Sequence, residues 1–271
     1  IRIEPRNGSG YRVTGTRLND RADSVYRSCT ALDARLRDEK LSGGNPETIR
    51  AIASERDEVI STAVRANNDN LLGAYLFRQF QSSGSPAGVR ERLAEFSPEM
   101  RAHPILRGVL ARIEAVEKTA IGQPYTDLAL CDAEGAAIPL SSVAGKANWV
   151  LLDFWATWCG PCRSEMPEIQ ALYEKYGKNE KDLIVLGVAG PNQGNEGSTA
   201  SIKKFLKDNR YTFPVVMDES GDVFAEYGIR AFPTTFMIDK EGNIFGYVES
   251  ALTKEMMESI VEQTMTGQRA Q

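Results

Sequence analysis

Two cysteines three residues apart, Cys159 and Cys162, stand where an apolar strand gives way to a helix. Trp149-Val150-Leu151-Leu152-Asp153-Phe154 reads as a buried strand. Pro161 to Tyr176 reads as a helix with apolar positions at Met166, Ile169, Leu172 and Tyr173. The first sulfur thus falls at the helix start, where unsatisfied backbone N–H groups and the positive end of the dipole favour thiolate over thiol. The thiolate is the nucleophile in disulfide chemistry. The second sulfur lies one turn on, within reach of a two-residue disulfide loop. Gly160 permits the tight turn, and Pro161 suits the first helical turn. This local pattern supplies an attacking and a resolving sulfur.

The rest of this half alternates. Leu183 to Val188 reads as a buried strand, and Ser198 to Asn209 as a helix with Ser198 as N-cap. A short strand follows at Phe213 to Met217, then a short helix from Ser220 to Tyr227 that ends at Gly228. Thr234 to Ile238 and Ile244 to Val248 form a hairpin, and Thr253 to Met265 is a closing helix. Strand–helix–strand order calls for an α/β fold, a mixed sheet with helices on both faces.

The two parts of the chain differ in their cations. Residues 1–120 hold 17 Arg and 2 Lys against 16 acids, a net of +3, whereas residues 121–271 carry a net of -8. All three tryptophans lie in the second part. With a Gly and Pro break at Ile121-Gly122-Gln123-Pro124, this predicts a mainly helical domain over 1–120 and a second domain over 121–271. The first domain opens on a short hairpin, Ile1-Arg2-Ile3 and Tyr11-Arg12-Val13 flanking a turn at Arg6 to Gly10. Helices follow after Asn19-Asp20. Their stripes are Ile49, Ile52, Arg56, Val59, Ile60 and Ala63; Leu72, Tyr75, Leu76 and Phe80; and Ile105, Leu106, Val109, Leu110, Ile113 and Val116. Pro46, Pro86 and Pro104 mark helix starts. The domain reads as a helical bundle that packs, caps or presents its neighbour, with no chemistry of its own.

Composition removes several function classes. The net charge of -5 lacks a nucleic-acid binder's basic footprint. No apolar run approaches the ~18 residues that span a bilayer. Four cysteines are too few for a disulfide scaffold. The chain starts at Ile1 without a charged and apolar leader, so a signal peptide or lipid anchor is expected to be removed or absent from this chain.

Residues 121–271 resemble the thioredoxin superfamily, and more narrowly its TlpA/ResA-like thiol–disulfide oxidoreductases of bacteria. Trp158-Cys159-Gly160-Pro161-Cys162 matches the thioredoxin active-site motif, and Gly228 to Thr234 resembles the segment carrying that family's cis-proline. Tyr125 to Leu140, turning at Asp132-Ala133-Glu134-Gly135, is similar to the branch's extra N-terminal hairpin. Arg163 to Pro167 and the insert from Gly190 to Gly228 resemble that branch too. The helical first part resembles, more loosely, regions preceding such domains in Bacteroidetes-type proteins. The resemblance implies a thioredoxin fold and a redox-active Cys159–Cys162 disulfide, with no other cofactor and no metal. It implies a cis Pro233 facing the dithiol, and Asp153 as the buried acid that takes the proton from Cys162. Trp158, Gly160, Pro161, Phe232 and Thr234 would contact substrate. Gly-Pro between the cysteines resembles the reducing members, which points to a reductant or isomerase. Partners would be protein thiols or disulfides and an upstream electron donor, in the bacterial periplasm.

Other readings stand beside these. A lone CxxC is also half a zinc site, but Cys29, Cys131 and His103 are scattered without ligand spacing. A c-type haem would need His where Arg163 stands. A peroxiredoxin-like peroxidase shares the fold, yet Ala156 and Leu152 replace that family's Thr or Ser and its upstream Pro. A non-catalytic adaptor on the same scaffold is the remaining alternative. Glu165, in the first turns of the helix, reads either as a proton relay near the dithiol or as an acid that favours a helix N-terminus. Trp155 reads as core or as part of an apolar rim with Trp158 and Phe232. Cys29 and Cys131 are expected to be free, with a bridge between them as the alternative because spacing does not fix connectivity, and His103 to cap the next helix or face solvent. Gly190 to Gly197 reads as a mobile polar loop that either flanks the site or merely connects.

Overall fold

The computed structural model describes residues 2–5, 11–81, 84–128 and 130–268. The chain separates into two compact units, Ile1–Ala111 and Arg112–Gln271.

In the first unit, β1 (Arg2–Pro5) pairs antiparallel with β2 (Tyr11–Thr14). Ile1 and the turn expected at Arg6 to Gly10 lie outside the described residues. Then come α1 (Arg17–Leu41), α2 (Pro46–Arg65), α3 (Leu71–Leu76), α4 (Pro86–Ala94), α5 (Pro98–Ala102) and α6 (Pro104–Lys118), the last crossing the division. The starts are marked chemically. Side chains of Thr16, Asn45, Asn70, Ser85 and Ser97 each accept a first-turn N–H. The Thr16 cap is why α1 begins ahead of Asn19. His103 caps α6, its Nδ1 accepting from the Ile105 N–H at 3.3 Å. Ile52, Ile60 and Val64 are buried, and Arg56 meets Asp33 at 2.6 Å. Tyr75 departs from its expected stripe and is exposed, whereas Phe77 is fully buried. A π-helical turn over Phe77–Gln81 widens the helix there and shifts its phase.

The second unit contains β3 (Cys131–Asp132), β4 (Trp149–Phe154), α7 (Gly160–Lys175), β5 (Leu183–Ala189), α8 (Thr199–Asp208), β6 (Val215–Met217), α9 (Asp222–Glu226), β7 (Thr234–Ile238), β8 (Ile244–Val248) and α10 (Lys254–Thr266). One six-stranded sheet runs β3-β6-β5-β4-β7-β8. β4 is parallel to β5 and β5 to β6, while β3, β7 and β8 pair antiparallel with their neighbours. This is the thioredoxin fold. Among the described residues of the hairpin expected over Tyr125 to Leu140, only β3 is regular strand. Backbone bonds Ile138 N–H to Leu130 O and Asp132 N–H to Ala136 O close it around a turn that Asp132 Oδ1 holds.

Side chains of β4 alternate between two cores. Val150, Leu152 and Phe154 join Leu128, Leu140, Tyr227 and Phe236 on one face. Leu151 lies on the other face with Cys162, Met166, Ile169 and Met237. Strand period places Asp153 on that second face, beneath α7. Gly187 of β5, paired with Asp153 of β4, marks a close approach. A Cβ there would lie 2.9 Å from Trp155 Nε1 and 3.1 Å from Phe213. Gly187→Ala is therefore expected to lower stability by about 1–3 kcal/mol through overpacking. Urea melts should show a lower midpoint with an unchanged slope.

The Gly190 to Gly197 stretch is not a loose connection. Asn192 N–H bonds Gly197 O, Glu196 N–H bonds Gln193 O, and Gln193 Nε2 bonds Asp218 O. Composition suggests mobility; these turns and ties, invisible in composition, fasten the segment.

Candidate active site

Cys159 is the N-cap of α7, and its Sγ accepts from the Cys162 N–H at 3.2 Å. The two sulfurs are joined in a disulfide, with Cα atoms 5.3 Å apart. Both cysteines are buried, Cys162 completely, while Gly160 and Pro161 between them are exposed. The turn before them is closed by Cys159 N–H to Ala156 O at 3.1 Å.

Around this tip the aromatic residues divide. Trp158 is half-exposed at 50% and meets Phe232 edge-on, ring centroids 6.0 Å apart. Phe232 in turn packs on Phe224 at 5.4 Å. Trp155 is core, fully buried and tilted against Phe205, so the rim consists of Trp158 and Phe232 without it. The Phe232–Pro233 peptide is cis. Thr234 is buried, and its hydroxyl donates to Ala231 O at 2.9 Å, within the turn rather than toward solvent.

Two buried acids, Asp153 and Glu165, lie near one another. Asp153 is fully buried, and its Oδ1 accepts from the Thr235 hydroxyl at 3.1 Å across the β4–β7 pair. Glu165 is 1% exposed, and its Oε2 accepts from the Leu252 N–H at 2.8 Å. The other oxygens, Asp153 Oδ2 and Glu165 Oε1, are buried without a hydrogen-bond partner. Burial, then the nearby Glu165 charge, holds the Asp153 carboxyl well above the usual range, although the Thr235 bond opposes this. Burial raises Glu165 from its ordinary 4.5 to about 7, against the pull of the Leu252 N–H. Glu165 is therefore no solvent-facing helix-start acid.

Thr235, Leu252 and Glu196 were not singled out from sequence. Thr235 and Leu252 act across 82 and 87 residues, which local pattern does not encode. Glu196 left one signal, being the sole acid between Gly190 and Gly197. Its carboxylate accepts from the Thr157 N–H and the Thr157 hydroxyl, both at 2.6 Å, two residues before Cys159. Cys29 is free and buried, and Cys131 free and exposed. Among the described residues, no group of three or more His, Cys, Asp or Glu is arranged to hold a metal.

The AhpC/TSA family matches residues 121–246. Thiol-disulfide oxidoreductase ResA of Bacillus thuringiensis is 34% identical over 146 residues, which is 54% of this chain and 79% of that protein. ResA of Geobacillus thermodenitrificans is 36% identical over 148 residues, 54% and 80% of the two chains. Among solved structures, the exposed lipoprotein thioredoxin Etrx1 of Streptococcus pneumoniae is 31% identical, with a TM-score of 0.45 over 51% of this chain and 99% of that one. With about four-fifths of each ResA relative aligned at a third identity, this chain belongs to the ResA family of thiol–disulfide oxidoreductases.

Proposed function

We propose that the Cys159–Cys162 pair exchanges electrons with protein disulfides, and that the protein works as a reductant or isomerase. The observation that carries this reading is the sulfur of Cys159 at the N-cap of α7, in a disulfide with Cys162. In the reduced enzyme, the Cys159 thiolate attacks one sulfur of a substrate disulfide and expels the other as a thiolate. The Cys162 thiol gives its proton to Asp153 and attacks Cys159 Sγ. The second substrate thiol leaves reduced, and Cys159–Cys162 is left oxidised. An upstream dithiol donor returns two electrons to the pair. In the reverse direction the same steps oxidise a substrate dithiol.

Roles follow from position. Asp153 is the proton acceptor, on the strand face that carries Cys162 in its core. Glu165 shares that buried site and relays the proton toward solvent. Pro233, lacking an N–H, leaves the flanking backbone to pair with an extended substrate. Trp158, Gly160, Pro161 and Phe232 offer the exposed or half-buried surface against which that substrate lies. Thr234 supports the Pro233 turn through Ala231. Residues 1–120 make one domain, mainly helical, and residues 121–271 the thioredoxin-like domain. The periplasmic location rests on the family resemblance alone.

The test is an equilibrium with glutathione together with insulin reduction. A midpoint near the thioredoxin end of the scale, about -270 mV, is expected, and one near about -120 mV would exclude the reductant reading. Failure to reduce insulin under a dithiol donor would favour the adaptor alternative.

A further inference from the structure

Next to Trp158 the fastened segment Gly190 to Gly197 closes one side of a small cavity of about 140 Å³. Its walls are Trp155, Trp158, Phe224 and Phe232, with Gln193 and Glu196 from the segment itself. The volume is close to that of an apolar cavity able to hold a benzene ring, roughly 150 Å³. One branched or aromatic side chain fits; a second does not. Two of the walls flank the reacting groups in sequence, because Trp158 precedes Cys159 and Phe232 precedes Pro233. A chain that brings its disulfide to Cys159 therefore carries its neighbouring side chain past the mouth.

The cavity depends on one carboxylate. Glu196 is 8% exposed, and its two oxygens accept three hydrogen bonds: the Thr157 N–H and hydroxyl at 2.6 Å each, and the Gly197 N–H at 2.9 Å. Charge-assisted bonds of this kind hold geometry well. They join the segment to the turn that carries Trp158 and Cys159. Gln193 anchors the other end on Asp218 O. Two of its three bonds go to the active-site turn and one to its own segment.

We propose that this cavity is a side-chain subsite, selecting protein disulfides that carry an apolar residue next to the reactive cysteine, and that Glu196 is the positioning residue that builds it. The proposal rests on Cys159 being the attacking sulfur. An apolar pocket separates substrates differing by one methylene by roughly 10–200-fold, so at least roughly a tenfold preference is within its reach.

The experiment uses the full chain and two synthetic peptide disulfides, identical except for Leu or Gly beside the cysteine. Wild type is expected to show a kcat/KM about tenfold higher for the Leu peptide, mostly through KM. Glu196→Gln, which keeps the shape but cannot accept all three bonds, should cut that ratio to about threefold or less. Thr157→Val should lower it as well, whereas Thr157→Ser, which retains both donors, should hold the wild-type ratio. Because each reading is a ratio within one protein, a general loss of activity does not imitate the result. A wild-type ratio near one, with insulin still reduced, would overturn the subsite and leave the oxidoreductase mechanism standing. An unchanged ratio in Glu196→Gln would overturn the role of Glu196. A wild type that reduces no disulfide at all removes both readings.

Discussion

Cys159→Ser is expected to lose disulfide reductase activity to the uncatalysed background, a fall of roughly 10³-fold or more given what removal of a nucleophile costs elsewhere. The hydroxyl of serine is not ionised at neutral pH and does not attack sulfur. The substitution is small, and serine is itself a favoured N-cap, so α7 should still start at Gly160. Far-UV circular dichroism unchanged from wild type would separate lost chemistry from lost fold. Cys162→Ser should behave differently. Cys159 still attacks, but nothing resolves the product, so a covalent mixed disulfide accumulates and is seen on a non-reducing gel or by mass. If Cys159→Ser reduces insulin like wild type, the mechanism fails. If Cys162→Ser traps nothing from a disulfide-bearing substrate, the order of the two sulfurs is wrong.

The second large effect is expected from the acid pair, and it is a dependence on pH. In the unfolded chain Glu165 ionises near 4.5; in the fold it does so at about 7. The folded state thus binds more protons between those values, and stability falls as pH rises through them. The contribution is fully present below about 4.5 and lost above about 7, with a size of about 3 kcal/mol. Asp153 shifts in the same direction and adds to the fall. Glu165→Gln removes the ionisation and leaves an oxygen for the Leu252 N–H. Its stability relative to wild type should therefore rise between pH 4.5 and 8, by about 3 kcal/mol in total. Denaturant melts across that range measure it, and a flat difference would refute the buried-pair reading. Asp153→Asn should also slow the attack of Cys162 by roughly 10²-fold or more, as loss of a general base does. Mixed disulfide would then build up transiently in quenched-flow samples.

The part of this site that sequence made legible is the part built from neighbours in the chain. Trp149–Phe154, Thr234–Ile238 and Ile244–Val248 occur with the expected bounds because apolar runs and the Asp239 to Asn243 turn are local signals. The helix start at Cys159 is local too. Asp153 is legible from its strand alone, since a carboxylate in an apolar strand is an anomaly whatever the fold. What surrounds it was not legible. Its partner Thr235 is fixed by the antiparallel register of β4 and β7, and one residue of slip would have turned Thr235 to the other face. The burial of Glu165 depends on Leu252 closing over it from the segment ahead of α10. Gly190 to Gly197 looked mobile because glycine and asparagine content reports conformational freedom and says nothing of long-range bonds. In the first unit the regular stripe loses its phase after Leu76, where a π-helical turn over Phe77–Gln81 breaks the 3.6-residue period on which such stripes depend.

One contact carries a wider consequence. The amide of Cys162 is one of the first-turn N–H groups of α7, and it donates to Cys159 Sγ. Secondary structure and electron count are consequently written on a single N–H. Negative charge on that sulfur tightens the first helical turn, and fraying of the turn withdraws support from the charge. A protein that settles on the exposed Gly160-Pro161 step thereby tunes the reagent beneath it without contributing any ion of its own. Hydrogen exchange at that amide, slower in the reduced enzyme than in the oxidised one, is how such tuning would register.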